Sequence, residues 1–247
     1  MQSYHEELLR FLKGDFKKPH VVVMPDFFLD RLINLKWDAE TFSAAVKNIV
    51  LKKGGSIDQI GQVELRGGNA VNTASALAAL GAEATPIVCT SRLGLQILKF
   101  YLEPYGVDIS HVKVHEKSSI TTAMEFEMAN GKANVMLRDL GSLANFGPSK
   151  IDDSDFKAIE DADYVCVFNW AGTRSFGTQL AETVFRHVKT KGKGKTYYDT
   201  ADPTPNKEKI LSLVKTVLQS RRVDILSVNE NEAICYASQL CDKIKEL

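Results

Sequence analysis

Short runs dominated by β-branched and other apolar residues recur along the chain, each followed by a stretch with helical spacing. Runs at 20–24, 85–90, 164–168, 195–199 and 223–228 read as buried strands. Stretches at 69–80, 94–102, 177–189, 206–219 and 230–245 read as helices. Near-continuous apolar strands joined by helices require a mostly parallel central sheet covered on both faces, an α/β sandwich of three layers. No linker rich in Gly, Pro or Ser divides the 247 residues, so 1–247 is expected to form a single α/β domain. Sheets of this kind hold ligands beyond the carboxyl ends of their strands, which is where the chemistry should be sought.

One region breaks the alternation. Residues 121–128 and 132–137 flank Asn130-Gly131, the strongest short-range hairpin signal. Met124, Phe126 and Met128 alternate with Glu125 and Glu127, giving the hairpin one apolar and one polar face. Residues 58–66 alternate similarly and are expected to pair with it, forming a small β-sheet flap over the site. The lid so defined takes in approximately 31–66 and 111–140.

Composition narrows the function. Lys plus Arg and Asp plus Glu balance at 31 each, which points away from nucleic acid and towards a small-molecule partner. The N-terminal residues are charged throughout and lack a signal-peptide core. The most apolar window, 70–89, is interrupted by Asn72, Glu83 and Pro86, so no membrane span is expected. Four scattered cysteines fit buried reduced thiols in a cytoplasmic protein rather than a zinc site. Residues 192–196 imitate a phosphate-binding loop, but Lys189 stands where its first glycine belongs and a strand follows instead of a helix. The histidines sit in no triad pattern, which leaves a hydrolase without a visible nucleophile, and no dinucleotide fingerprint occurs.

The most informative stretch runs from Arg66 through Gly67, Gly68, Asn69 and Asn72 to Gly81. Paired glycines at a helix start let a ligand approach the backbone, and the first turn offers unpaired N–H donors. Asn69 and Asn72 could reach ligand hydroxyls from that turn; the plain alternative is a structural helix capped by Asn69. Asp26 and Asp30 follow the first strand. A carboxylate there either accepts bonds from two sugar hydroxyls or is a solvated loop acid. Asn229, Glu230 and Glu232 lie at a strand end and helix start, where they either organise Mg²⁺ through water or simply suit the helix dipole. Asn169, after the run 164–168, is a substrate contact or a strand-end turn residue.

Gly67-Gly68, Asn72 and Ala74, followed by Leu80-Gly81, resemble the N-terminal signature of the ribokinase-like (PfkB) carbohydrate kinases. Asp30, Gly94, Gly106-Val107-Asp108, Thr122, Gly131 and Asn229 with Glu232 are similar to further segments of that family, in the same order. The resemblance implies a ribokinase-like fold with a β-sheet lid, and transfer of the ATP γ-phosphate to a hydroxyl of a sugar or nucleoside. It implies substrate contacts from Asp30, Gly67, Gly68, Asn69, Asn72 and Asn169. ATP and Mg²⁺ would be the cofactors, with Asn229 and Glu232 ordering metal and phosphate. A homodimer through the lid is a further implication.

Some positions depart from the family pattern. Pro25 stands for a glycine, and Cys89 and Ser91 replace a glycine and an aspartate ahead of Gly94. No GAGD segment, which in that family carries the catalytic aspartate and anion hole, occurs before Leu247. On this reading the chain is C-terminally incomplete, contains no catalytic residue of its own, and should release no ADP above background. The alternative is a non-catalytic sugar- or nucleoside-binding protein derived from the same fold.

Overall fold

The computed structural model describes residues 2–14 and 17–241. The first half of the chain comprises α1 (Gln2–Leu12), β1 (His20–Met24), β2 (Phe28–Asn34), α2 (Ala39–Leu51), β3 (Gly61–Gly67), α3 (Asn69–Ala79), β4 (Glu83–Pro86), β5 (Cys89–Thr90) and α4 (Arg92–Leu102). The second half comprises β6 (Lys113–Val114), β7 (Ser119–Met128), β8 (Gly131–Asp139), α5 (Asp153–Asp161), β9 (Tyr164–Phe168), α6 (Gly177–Lys191), β10 (Lys195–Asp199), α7 (Ile210–Thr216), β11 (Ile225–Ser227) and α8 (Glu230–Ala237). No helix among the described residues is long and apolar enough to cross a membrane.

The central sheet has the order β11-β10-β9-β1-β4, and every pair in it is parallel. Period-two alternation divides its middle strand between two apolar layers. Val22 and Met24 pack with Ile159, Leu180, Val184 and Phe185 of α5 and α6. Val21 and Val23 point the other way, into Ala70, Val71, Ala74, Leu98 and Leu102 of α3 and α4. Small residues on α3 let that helix lie close to the sheet. The outcome is the expected three-layer α/β sandwich.

Several boundaries differ from the expected ones. The run 85–90 is split: β4 stops at Pro86, which has no N–H to donate and lies on the sheet edge, and Cys89–Thr90 pairs with β6 instead. The stretch 206–219 is helical only over Ile210–Thr216, because Asn206 (φ −127°) interrupts it. Strand 223–228 narrows to Ile225–Ser227, and α8 ends at Ala237. Of the expected helix 230–245, residues 242–245 lie outside the described residues.

A second, four-stranded sheet has the order β3-β2-β7-β8. Its hairpin, β7 and β8, turns at the expected Gly131 (φ +120°). Residues 61–67 do not pair with the hairpin as expected. β2 stands between them, antiparallel to β3 and parallel to β7. The sequence gives little warning of β2, since Asp30 and Arg31 interrupt its apolar residues.

The apolar face of the hairpin is the back of this sheet. Phe126 is 8% exposed and meets Phe42 of α2 edge-on, ring centroids 5.7 Å apart. Backbone bonds from Leu35 to Glu125 and from Glu127 to Trp37 hold the β2–α2 connection against β7. The opposite face, with Thr121 and Ala123, looks into a cleft. Phe126 therefore stabilises the sheet from behind. Phe126→Ala should cost roughly 3 kcal/mol in urea denaturation, near the lower end for buried phenylalanine. Met128→Ala, at a position 60% exposed, should shift stability by less than about 0.5 kcal/mol. Equal effects at the two positions would show that α2 does not support the sheet.

Candidate functional site

Helix α3 starts without a capping side chain of its own, because its N-cap is Gly68 (φ +95°). A Cβ at Gly68 would lie 2.7 Å from the Asp26 carbonyl oxygen and 2.8 Å from the Phe27 Cα. Both the backbone angle and the close chain crossing thus require glycine. The missing cap comes from Asp26, after β1. Its Oδ2 accepts from the Asn69 N–H at 2.9 Å, and its Oδ1 accepts from the Ala70 N–H at 2.9 Å. The Asn169 amide also donates to Oδ2, at 3.0 Å. Burial raises the Asp26 carboxyl above the ordinary aspartate value, and these three donors oppose that rise.

Asp30 is not a loop acid; it lies within β2. Its Oδ1 is buried without a hydrogen-bond partner, a condition shared among the described residues only by the Tyr198 hydroxyl. A Cβ on Gly67 would fall 1.9 Å from Asp30 Oδ2, so the first glycine of the pair provides the room for this carboxylate. Burial pushes the Asp30 carboxyl upward, opposed by a bond from the Thr121 side chain and by the Arg138 charge. Asp30 lines a cleft, and a carboxylate with one unpartnered oxygen has acceptor capacity left for a ligand hydroxyl.

The cleft holds about 260 Å³. Asp30, Gly68, Asn69 and Asn169 all line it, with the buried Asp26 at its floor. Gly67 lies directly behind Asp30. Asn72 is exposed on α3 and does not line the cleft. Asn169 has φ +51°, and its Oδ1 accepts from the Gly172 N–H at 3.0 Å. Its amide is thus engaged on both sides, tying the end of β9 to Asp26. Sequence reasoning missed Phe28 and Leu32 of β2 and, on the hairpin, Thr121, Ala123, Met136 and Arg138. The parity of the hairpin could have found the last four, since they occupy the face opposite Phe126.

Asn229 and Glu232 form a reciprocal cap on α8. Asn229 Oδ1 accepts from the Glu232 N–H at 2.9 Å, and Glu232 Oε2 accepts from the Asn229 N–H at 3.2 Å. The Asn229 amide also donates to Glu232 Oε1 at 2.9 Å. Together with Asp202 and Thr204 they line a second cleft of about 390 Å³. Hydrogen bonds from the side chain and backbone of Thr204 hold Asp202 below the usual carboxylate range. Among the described residues no three His, Cys, Asp or Glu side chains converge as a metal cage. Both Glu232 oxygens already accept bonds, so this arrangement fits a cation that keeps its own water shell and not one stripped of it.

The departures from the family pattern have local explanations. Ser91 caps α4, accepting from the Gly94 N–H at 3.3 Å and bonding the Ser118 hydroxyl at 2.7 Å. A short hydroxyl thereby fills the capping role open to an aspartate. Cys89 is buried, which pushes its thiol up to about 12 and keeps it unreactive. Pro25 follows Met24 through a cis peptide bond.

The Asp26 arrangement yields a test. Asp26→Ala leaves up to three donors without an acceptor, offset by relief of a buried charge, and should cost roughly 3 kcal/mol in urea denaturation. A cost below about 1 kcal/mol would show that water replaces the carboxylate at the helix start.

Comparison with known proteins follows from this geometry. The description of the pfkB family carbohydrate kinases matches residues 39–247. Among solved structures, a fructokinase with bound ATP from Xylella fastidiosa is 16% identical, with a TM-score of 0.68 over 93% of this chain and 68% of that one. A ribokinase from Arabidopsis thaliana, complexed with ribose and ATP, is 18% identical, with a TM-score of 0.64 over 93% of this chain and 67% of that one. A nucleoside kinase from Methanocaldococcus jannaschii is 15% identical, with a TM-score of 0.59 over 94% and 69% of the two chains. A comparison with curated proteins finds no match. At these identities the structures show a shared fold, and the match over residues 39–247 shows the lineage: the chain belongs to the pfkB family of carbohydrate kinases.

Proposed function

We propose that this protein takes part in transfer of the ATP γ-phosphoryl group to a hydroxyl of a sugar or nucleoside. The observation that carries the reading is Asp30, a carboxylate that lines a cleft at the start of α3 and has one oxygen, Oδ1, without a hydrogen-bond partner. Asp30 would accept from substrate hydroxyls, with Gly67 leaving room for it. Gly68 would let the substrate approach the backbone, and Asn69 would add an amide. Asn169 would act by fixing Asp26 rather than by touching substrate. The fructokinase, ribokinase and nucleoside kinase that share the fold support the substrate class.

Chemically, the substrate oxygen attacks the γ-phosphorus, the bond to the β-phosphate oxygen breaks, ADP leaves, and the hydroxyl proton passes to a base. We assign no described residue to that base or to an anion hole. Asp202, Asn229 and Glu232 suit the phosphate side of the site. Two carboxylates repel a bare polyphosphate, so a hydrated Mg²⁺ between them would supply the compensating charge.

Calorimetric titration with ribose, fructose and adenosine tests the substrate half. A hydrogen bond to a charged group is worth about 1.5–3 kcal/mol, so Asp30→Asn should weaken the best ligand tenfold or more, at a melting temperature equal to or above that of the wild type. Affinity of the wild type should also fall on acidification, and the fall should begin above the ordinary aspartate value of 3.8 because burial raises this carboxyl. Asp30→Asn should lack that pH dependence. Equal binding by wild type and variant would remove Asp30 from the site.

Leu32, Val63 and Leu65 lie on the cleft-facing side of the second sheet at 42%, 56% and 45% exposure. We propose that a second copy of the chain covers them. Sedimentation equilibrium should then give twice the mass of the chain at micromolar concentration, and Val63→Glu should return it to the single mass. A single mass for the wild type would refute pairing through this sheet.

A further inference from the structure

Residues 192–196, which imitate a phosphate-binding loop, lie at the end of the central sheet opposite the substrate cleft. Lys195 opens β10, and Gly192 to Gly194 join it to α6. A Cβ at Gly194 would lie 2.5 Å from the Ala162 carbonyl oxygen, so glycine lets this loop close onto the turn ahead of β9. The Lys195 N–H donates to the Asp163 carbonyl at 2.9 Å and fixes the loop there. Register then sets Lys195 beside Tyr164 on β9, and Tyr164 beside Val21 on β1. Lys17 and Pro19 come from the segment that leads into β1.

Together these residues line a cleft of about 340 Å³, in which Lys17, Lys193 and Lys195 meet Pro19, Asp163 and Tyr164. Three ammonium groups share one opening with a single carboxylate. That carboxylate is already engaged: Asp163 Oδ2 accepts from the His20 N–H at 3.0 Å, and Oδ1 pairs with Lys17 at 3.7 Å. The His20 bond, and then the charges of Lys17 and Lys193, hold its carboxyl below the usual aspartate value. Neither Lys193 nor Lys195 makes a side-chain hydrogen bond or close ion pair with a described residue, and both are exposed. Lys189 and Lys191, in the last turn of α6, complement the helix dipole, and Lys189 also pairs with Asp224 at 2.5 Å. Two strand spacings, about 10 Å, separate β10 from β1, so the cations of the cleft are spread along a line. Tyr164 and Pro19 give it an apolar wall.

We infer that this cleft is a second anion site, remote from the substrate, and that it binds a polyphosphate chain. A chain of two or three phosphates distributes its charge along a length comparable to the spread of the lysines, whereas a single phosphate meets fewer of them at once. Lysine binds phosphate oxygens as a compact charge on a flexible stem, which suits an extended anion without fixed geometry. Residues 192–196 thus meet phosphate through side chains and not through the backbone cradle of a phosphate-binding loop. A free polyphosphate and the tail of a nucleoside triphosphate offer the same chemistry; in the second case the ring would lie on Tyr164 and Pro19. The inference is independent of the sugar reading, since the two clefts lie at opposite ends of β1 and β9.

Chemical acetylation of lysines at constant ionic strength, read by mass spectrometry while sodium tripolyphosphate is titrated in, tests it site by site. Labelling of Lys17, Lys193 and Lys195 should fall about threefold or more, while Lys47, exposed on α2, should label as before. The concentration that half-protects these lysines should be about tenfold or more higher for inorganic phosphate, and should rise with added salt. In the double variant Lys193→Gln, Lys195→Gln, the tripolyphosphate concentration that half-protects Lys17 should rise about tenfold or more, at unchanged melting temperature. Asp163→Asn keeps an acceptor for the His20 N–H and removes the one negative charge, so it should lower that concentration about twofold or more.

ATP in place of tripolyphosphate separates the two sources. Tighter protection by ATP, lost with Tyr164→Leu, identifies a nucleoside triphosphate; protection no tighter than that by tripolyphosphate identifies the free chain. The inference fails if tripolyphosphate leaves the three lysines unprotected, or if inorganic phosphate protects them at the same concentration. It fails also if the double variant protects Lys17 as well as the wild type does. Equal protection of Lys47 overturns it too, because the anion would then be screening charge over the whole surface.

Discussion

The carboxylate of Asp26 joins three parts of the fold that are distant in sequence. It lies just after β1, caps the backbone of α3 at Asn69 and Ala70, and receives the side chain of Asn169 from the end of β9. Neighbouring strands of the central sheet and a helix of one outer layer are thereby locked at the carboxyl edge, where an α/β sheet places its ligand. Without that acceptor the start of α3 would carry orphan donors, since Gly68 has no side chain to cap it. The glycine cannot be exchanged for a capping residue, because the chain crosses Asp26 and Phe27 too closely for a Cβ.

This bracing explains how the molecule tolerates Asp30. A carboxylate oxygen left buried and unpaired costs free energy. Its surroundings keep it in place: β2 is held between β3 and β7, and Gly67 vacates the volume beside it. The two acids after β1 thus divide the work. Asp26 is satisfied and structural, whereas Asp30 keeps one oxygen unpaired and lines the cleft. Both have raised carboxyl pKa values because of burial, so the folded protein retains protons that the unfolded chain has lost. Their contribution to stability is full below the unfolded value of 3.8 and declines as pH rises through the folded values. Accuracy of the acceptor arrangement is thus obtained at some cost in stability near neutral pH.

Much of the architecture was legible in the residues. The runs at 20–24, 164–168 and 195–199 became strands over those same residues, and α3 begins at Asn69 as its glycine pair implies. Local signals failed where tertiary context decides. β2 is a strand because β3 and β7 pair with it, not because its own sequence alternates cleanly. The apolar parity of the hairpin was visible, but which side faced the cleft depended on α2, which the pattern did not reveal. The separation of Asp26 from Asp30 was also hidden, since it rests on which carboxylate meets the helix start. Asn229 and Glu232 illustrate the reverse case: the same pair meets the requirements of a helix cap and of a phosphate site, and its spacing alone does not separate them.

The most direct test of the account is a crystal structure of the protein with its tightest-binding sugar. The account places a ligand hydroxyl within about 2.6–3.2 Å of Asp30 Oδ1, with Asp26 still bonded to Asn69, Ala70 and Asn169. A ligand bound elsewhere, with Asp30 Oδ1 left unpaired beside an empty cleft, would contradict it.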